Sequence, residues 1–160
     1  MRIIEPVFAQ EHQFDRFRSS LRSLTVYRSS RLFWHRHLIE GLEGEVKIYE
    51  VTPGQRLRVI RELQRIDPYR ATDQAIVQYC EWLPHSGIHW HPDDRYAWSA
   101  TLYLDTVVEG GEFQWIDAES VLNSYRPRAN SMILSFSQLH HRVCTVISQP
   151  RRTIQIWSNP

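Results

Sequence analysis

The residues best suited to chemistry lie in the second half of the chain, where His91-Pro92-Asp93 sets an imidazole and a carboxylate one residue apart. Far downstream come His140 and His141, and ten residues after His141 stands Arg151, followed at once by Arg152. Two imidazoles and one carboxylate on one side of a cation leave its other positions open. That is the ligand set of non-haem Fe(II) centres that must also take up a cosubstrate and O2. In an extended segment His91 and Asp93 share a face, because side chains alternate along a strand. By the same alternation His89 is in phase with His91, while His140 and His141 point to opposite sides. Only one of the latter two completes the set, and the strand-like run His141-Arg142-Val143-Cys144-Thr145-Val146 starts at the second.

Arginine is the usual partner where a carboxylate is to be gripped by a planar, two-pronged contact. In the last run of the chain Arg151, Thr153, Gln155 and Trp157 alternate with Arg152, Ile154 and Ile156, so the two arginines face opposite ways. Tyr103 is the candidate to add a hydroxyl to the same carboxylate.

Positioning such residues needs a scaffold, and the texture of the chain suggests one. Over 10–24 the apolar Phe14, Phe17, Leu21 and Leu24 recur at spacings of three and four, which predicts an amphipathic helix. Thr52, Pro53 and Gln55 read as a helix start: a cap, a proline where its missing N–H is harmless, and a side chain able to reach back. That helix is expected to run to about residue 66, with Leu57, Ile60, Leu63 and Ile66 on its buried side, until Asp67-Pro68 stops it. Strands are expected over 2–8 and 45–51, and a strand or loop over 25–37. From residue 75 the pattern changes to short β-branched and aromatic runs over 75–82, 99–104, 111–116, 131–136, 141–147 and 153–157, separated by turn residues. Helices followed by several short strands predict a mainly β, α+β fold with a sandwich or barrel core. One domain over 1–160 is expected, with 1–74 as helical and mixed support and 75–160 as the β core.

Composition narrows the field. The chain has 160 residues, 42% hydrophobic and 23% charged, the profile of a soluble globular domain. A formal net charge of +1 speaks against a broad nucleic-acid footprint. Two cysteines, Cys80 and Cys144, are too few for a disulfide framework or a zinc ribbon and suit a reducing compartment. No apolar run is long enough for a bilayer, and the N-terminus carries no signal-peptide core. A soluble cytoplasmic protein with no membrane partner is expected.

The order of these pieces resembles the double-stranded β-helix (jelly-roll, cupin-like) core of the Fe(II)/2-oxoglutarate-dependent oxygenases, in particular the prolyl-4-hydroxylase-like branch. The resemblance is carried by Tyr79, His91-Pro92-Asp93, Tyr103-Leu104-Asp105, Gly110-Gly111-Glu112-Phe113, Pro127-Arg128-Ala129-Asn130, His141-Arg142-Val143, Arg151 and Ile154-Gln155-Ile156-Trp157. It implies His91, Asp93 and His141 as iron ligands. His141 is preferred over His140 by its spacing to Arg151 and by the valine two positions on. It also implies Arg151 as the partner of the distal carboxylate of 2-oxoglutarate, Tyr103 as helper and Tyr79 as a lining residue of that pocket. Two positions depart from the family pattern: Asp105 stands where asparagine is common, and Asn130 replaces a turn glycine, a mild change because asparagine tolerates the left-handed conformation. The activity so implied is hydroxylation of a substrate C–H bond, with 2-oxoglutarate and O2 as cosubstrates and succinate and CO2 as coproducts. A peptide or protein residue such as proline is the leading substrate. A free amino acid or small metabolite is the alternative, and a non-catalytic module binding metal or 2-oxoglutarate is the runner-up class. Trp90, Tyr96, Trp98 and Trp115 are candidates for the pocket wall or its rim.

Overall fold

The computed structural model describes residues 1–34, 36–68, 74–136 and 138–158. In chain order the elements are β1 (Arg2–Ile4), α1 (Glu11–Leu21), β2 (Tyr27–Ser29), a 3-10 turn (Ser30–Leu32), α2 (Arg36–Glu40), β3 (Leu42–Glu43), β4 (Val46–Glu50), α3 (Pro53–Ile66), β5 (Ile76–Trp82), β6 (Gly87–His91), β7 (Trp98–Tyr103), β8 (Phe113–Ile116), β9 (Leu122–Tyr125), β10 (Ser131–Phe136), β11 (His141–Val143) and β12 (Arg151–Trp157).

The two long helices form where the sequence places them. In α1 the stripe Phe14, Phe17 and Leu21 is buried. Helix α3 opens with a complete capping box: Gln55 N–H donates to Thr52 Oγ1, and Thr52 N–H donates to Gln55 Oε1. Its buried side differs from the expectation. Val59, Ile60 and Leu63 are buried, whereas Leu57 is 45% exposed. A series repeating only every three residues drifts around a 3.6-residue helix, so Leu57 has rotated off the stripe that Leu63 defines. The segment over 25–37 becomes β2, the 3-10 turn and the start of α2, with His35 outside the described residues.

Two antiparallel sheets carry the rest. One has the order β1-β10-β7-β12-β5-β4-β2, the other β3-β6-β11-β8-β9. Strands from the first half join both, so residues before 75 extend the sheets as well as covering them. Strands β3, β6 and β9 have no counterpart among those expected. β9 (Leu122-Asn123-Ser124-Tyr125) is a polar edge strand and lacks the apolar run that marks a buried one. Two cores result. Side chains of α1 and α3 pack on one face of the seven-stranded sheet against Leu102, Leu134, Ile154 and Ile156. On its other face Trp82, Tyr103, Ile133 and Trp157 meet Ile88, Phe113 and Val143 of the five-stranded sheet. The fold is mainly β with N-terminal helices, a double-stranded β-helix whose interior lies between the sheets. Among the described residues no helix is long and apolar enough to cross a membrane.

Asn130 shows why the turn before β10 does without glycine. Its φ is 63°, and its side chain bridges to the segment between β1 and α1: Phe8 N–H donates to Oδ1 at 2.8 Å and Nδ2 donates to the Phe8 carbonyl at 2.9 Å. Glycine would supply the backbone conformation without that clamp on the N-terminal segment.

Candidate active site

His91 and His141 are direct cross-strand partners in the antiparallel pair β6–β11, which sets their rings 4.4 Å apart, centroid to centroid. Asp93 lies just past the end of β6, and its Oδ2 is 3.9 Å from His141 Nε2. Ligand atoms of His91, Asp93 and His141 all fall within 4.8 Å of one another. Each histidine uses Nδ1 on a backbone carbonyl, His91 on His89 at 2.7 Å and His141 on Leu139 at 2.8 Å. A donated Nδ1–H fixes the tautomer that leaves Nε2 as the metal-binding nitrogen. Phe113 stacks on the His141 ring at 5.0 Å and restrains it from the other side.

His89 does not share the interior side with His91. β6 ends at His91, and the register shifts between His141↔His91 and Val143↔Ile88, so that His89 and Trp90 on β6 face Arg142 alone on β11. This β-bulge turns Ile88 and His91 to the same interior side and expels His89, which is exposed and pairs with Glu43 at 3.1 Å. Re-aiming a side chain beside a site is what such a bulge does. His140 is exposed, and its carbonyl accepts from Ile116 N–H.

Across the interior from the triad, Arg151 begins β12 and is 3% exposed. Triad and arginine line one cavity. The guanidinium lies between two rings, its Cζ 5.0 Å from the Trp82 centroid and 4.9 Å from that of Tyr103. Nη2 donates to Tyr103 Oη at 3.2 Å, while Nε and Nη1 are buried without a hydrogen-bond partner. Thr153 Oγ1 and Trp82 Nε1 are buried and unpartnered as well. Burial pushes the Tyr103 phenol up, against the pull of Arg151, so it remains a neutral donor. The turn behind the arginine requires glycine: Gly110 has φ +70°, and a Cβ there would lie 2.1 Å from the Thr145 carbonyl oxygen.

Arg152 is placed apart from all this. It makes two 2.7 Å bonds to Asp105 on the other face of the sheet, which accounts for the aspartate at that position. Tyr79 also lies on that other face, a correction to its expected place in the pocket. Register decides it: Arg151 pairs with Trp82, whereas Tyr79 pairs with Ile154, so Tyr79 packs under the helices beside Tyr49. Burial there raises its phenol to about 12. None of the four aromatics expected at the pocket wall or rim lines the cavity itself. Trp98 belongs to the helix-side core, Trp90 lies under Arg142, and Tyr96 and Trp115 pack at the margin of the interior core. The aromatics that line the cavity are Trp34, Trp82, Phe113 and Trp157. Trp82 and Trp34 carry no local signal, because strand register and chain crossing bring them in.

Two histidines and a carboxylate converging from β6 and β11, inside a double-stranded β-helix, define the class: a facial-triad centre of the kind that holds Fe(II) and activates O2. The profile of the 2OG-Fe(II) oxygenase superfamily matches residues 75–159, just over half the chain, and the chain belongs to that family. No curated protein matches the sequence. Solved structures show the same fold at low identity. A prolyl-4-hydroxylase from Pseudomonas putida aligns at TM-score 0.73 and 15% identity, over 99% of this chain and 92% of that one. A prolyl hydroxylase from Trichoplax adhaerens, in complex with a peptide fragment of the hypoxia inducible factor oxygen degradation domain, aligns at 0.71 and 16%, over 98% and 81%. HygX from Streptomyces hygroscopicus, solved with nickel and 2-oxoglutarate, aligns at 0.69 and 12%, over 98% and 82%.

Fe(II) and 2-oxoglutarate are thus implied, and the residues present fit them. The triad offers two nitrogens and one oxygen from one side, and the orphaned donors around Arg151 ask for an anionic acceptor. When bound, the iron supplies O2 activation coupled to oxidative decarboxylation of the 2-oxo acid. The chain's own work is positional: backbone carbonyls hold the histidine tautomers, two rings flank the arginine, and apolar walls exclude water.

Proposed function

We propose that the protein hydroxylates an unactivated C–H bond, with His91, Asp93 and His141 holding the iron and Arg151 holding the distal carboxylate of 2-oxoglutarate. One observation carries this reading: a buried arginine, without an acidic partner among the described residues, shares a cavity with the triad. An unpaired buried cation is costly, and a dicarboxylate removes that cost. Tyr103, which accepts from Arg151 at 3.2 Å, sets a hydroxyl beside the guanidinium. The chain, residues 1–160, is read as one oxygenase domain, since strands from its first half complete both sheets. Two free cysteines suit a reducing, cytoplasmic setting.

For the substrate, a residue within a peptide or protein, such as proline, is the first choice. The cavity lining beyond triad and arginine is uncharged, with Trp34, Leu38, Ser99, Gln155 and Trp157, and receives a neutral side chain better than a zwitterion. The second reading, a small molecule, draws on HygX, whose fold also appears with hygromycin B bound. Anaerobic addition of Fe(II) and then 2-oxoglutarate should give a visible charge-transfer band. Succinate release in air, screened over proline-containing peptides and then small molecules, should rise with the right class. A protein with no such band contradicts the cosubstrate assignment.

A further inference from the structure

Arg151 is not the only group in its surroundings waiting for an acceptor. Trp82 closes β5, pairs in register with Arg151, and is 1% exposed, yet its indole N–H has no hydrogen-bond partner. It lines the same cavity as the triad and the arginine. A buried indole ordinarily finds an acceptor for its N–H, and leaving one orphaned is destabilising. Tyr103 oxygen is already accepting from Arg151, and Gln155 Oε1 is approached by Cys80 Sγ at 3.5 Å. Packing alone would be served equally by phenylalanine, which has no donor to strand. The ring also stands against the guanidinium, which restricts where Arg151 can aim its free edge.

We propose that Trp82 is a further cosubstrate-binding residue, its indole N–H donating to the distal carboxylate of the dicarboxylate held by Arg151. The inference rests on the reading of Arg151 given above and adds to it a neutral donor from the neighbouring strand. A carboxylate has acceptor sites enough for a guanidinium edge, a hydroxyl and an indole together. The consequence is selectivity: a 2-oxo acid lacking the second carboxylate leaves Trp82 and Arg151 both unserved.

The test is calorimetric titration of the anaerobic, Fe(II)-loaded protein with 2-oxoglutarate and with 2-oxopentanoate, which has the same chain without the distal carboxylate. For Trp82→Phe the expectation is roughly tenfold weaker 2-oxoglutarate binding, the scale of one hydrogen bond to a charged group. Affinity for 2-oxopentanoate and for Fe(II) should be unchanged, and melting of the metal-free protein should not fall. Wild-type affinity in Trp82→Phe alongside a large loss in Arg151→Gln overturns the role of Trp82 and leaves that of Arg151 standing. Wild-type affinity in both variants overturns the arginine reading itself. Equal losses for the two oxo acids point to repacking and also count against the proposal. Should Trp82→Phe fold poorly, replacing Trp82 by benzothienylalanine, which exchanges N–H for sulfur at nearly constant shape, carries the same expectations.

Discussion

Arg152 lies on the helix-covered face of the seven-stranded sheet and spends its donors on Asp105, two bonds of 2.7 Å each. Arg151, one residue earlier, lies on the interior face, deeper, between two aromatic rings, with Nε and Nη1 unpartnered. The same side chain thus serves stability on one face and is held in reserve on the other. The contrast extends along the sheet. Around the helices Tyr79, Ile154 and Ile156 build an apolar core, while across the strands Trp82 and Thr153 keep orphaned donors. Folding tends to satisfy buried polar groups, and although Ser30 Oγ and Arg58 Nε are unpartnered elsewhere, the grouping of four such atoms on Trp82, Arg151 and Thr153 supports the proposed cosubstrate site.

Substitutions on each face separate the two roles. The largest effect is expected from Asp93→Ala, which removes the only carboxylate of the triad. It should leave no Fe(II) after desalting and no charge-transfer band, while the helix-side core keeps the protein folded in circular dichroism. Next come the two arginines. Arg151→Gln should weaken 2-oxoglutarate on the order of a hundredfold, as two charge-assisted bonds are lost, without loss of iron or of thermal stability. Arg152→Gln should do the reverse: unchanged 2-oxoglutarate affinity and a stability loss of about 1 kcal/mol by urea titration, modest because the pair is partly solvated. Interchanged results would interchange the faces.

Asn130→Gly tests the helix-side framework by itself. It keeps the backbone conformation and deletes both bonds to Phe8, so a loss of about 1–2 kcal/mol with normal iron and cosubstrate binding is expected. The smallest effect is expected at Asp117, far from either face of the contrast. Its carboxyl is held below the usual range by hydrogen bonds from Val121 N–H, then from Asn123 and Glu119 N–H. A lowered folded-state pKa contributes stability above the unfolded value, and the contribution disappears as pH falls through the folded one. The stability gap between wild type and Asp117→Asn should therefore be present at neutral pH and close in acid. A gap that persists at low pH would mean that the turn depends on shape rather than on charge.

Much of this was legible before any coordinates. The α3 capping box is local, four consecutive residues long, and formed as read. The triad was legible because its residue types are few and its spacing distinctive; alternation set Arg151 and Arg152 on opposite faces, and only the family resemblance favoured the first. Tyr79 was misplaced because its strand, though rightly located, carries no mark of which face meets the cavity. Trp98 was misplaced for the same reason. His89 was read in phase with His91, since a bulge leaves no trace in the residues it displaces.

Residue types, their spacing along each strand and the caps of the helices were determined by the sequence alone, because the interactions behind them span only a few residues. Which face of β5 meets Arg151, where β6 bulges, and that Trp34 and Trp82 close over the cavity were decided by tertiary structure. Those outcomes depend on register against partners far away in the chain, and a slip of one residue would send every side chain of a strand to the opposite side.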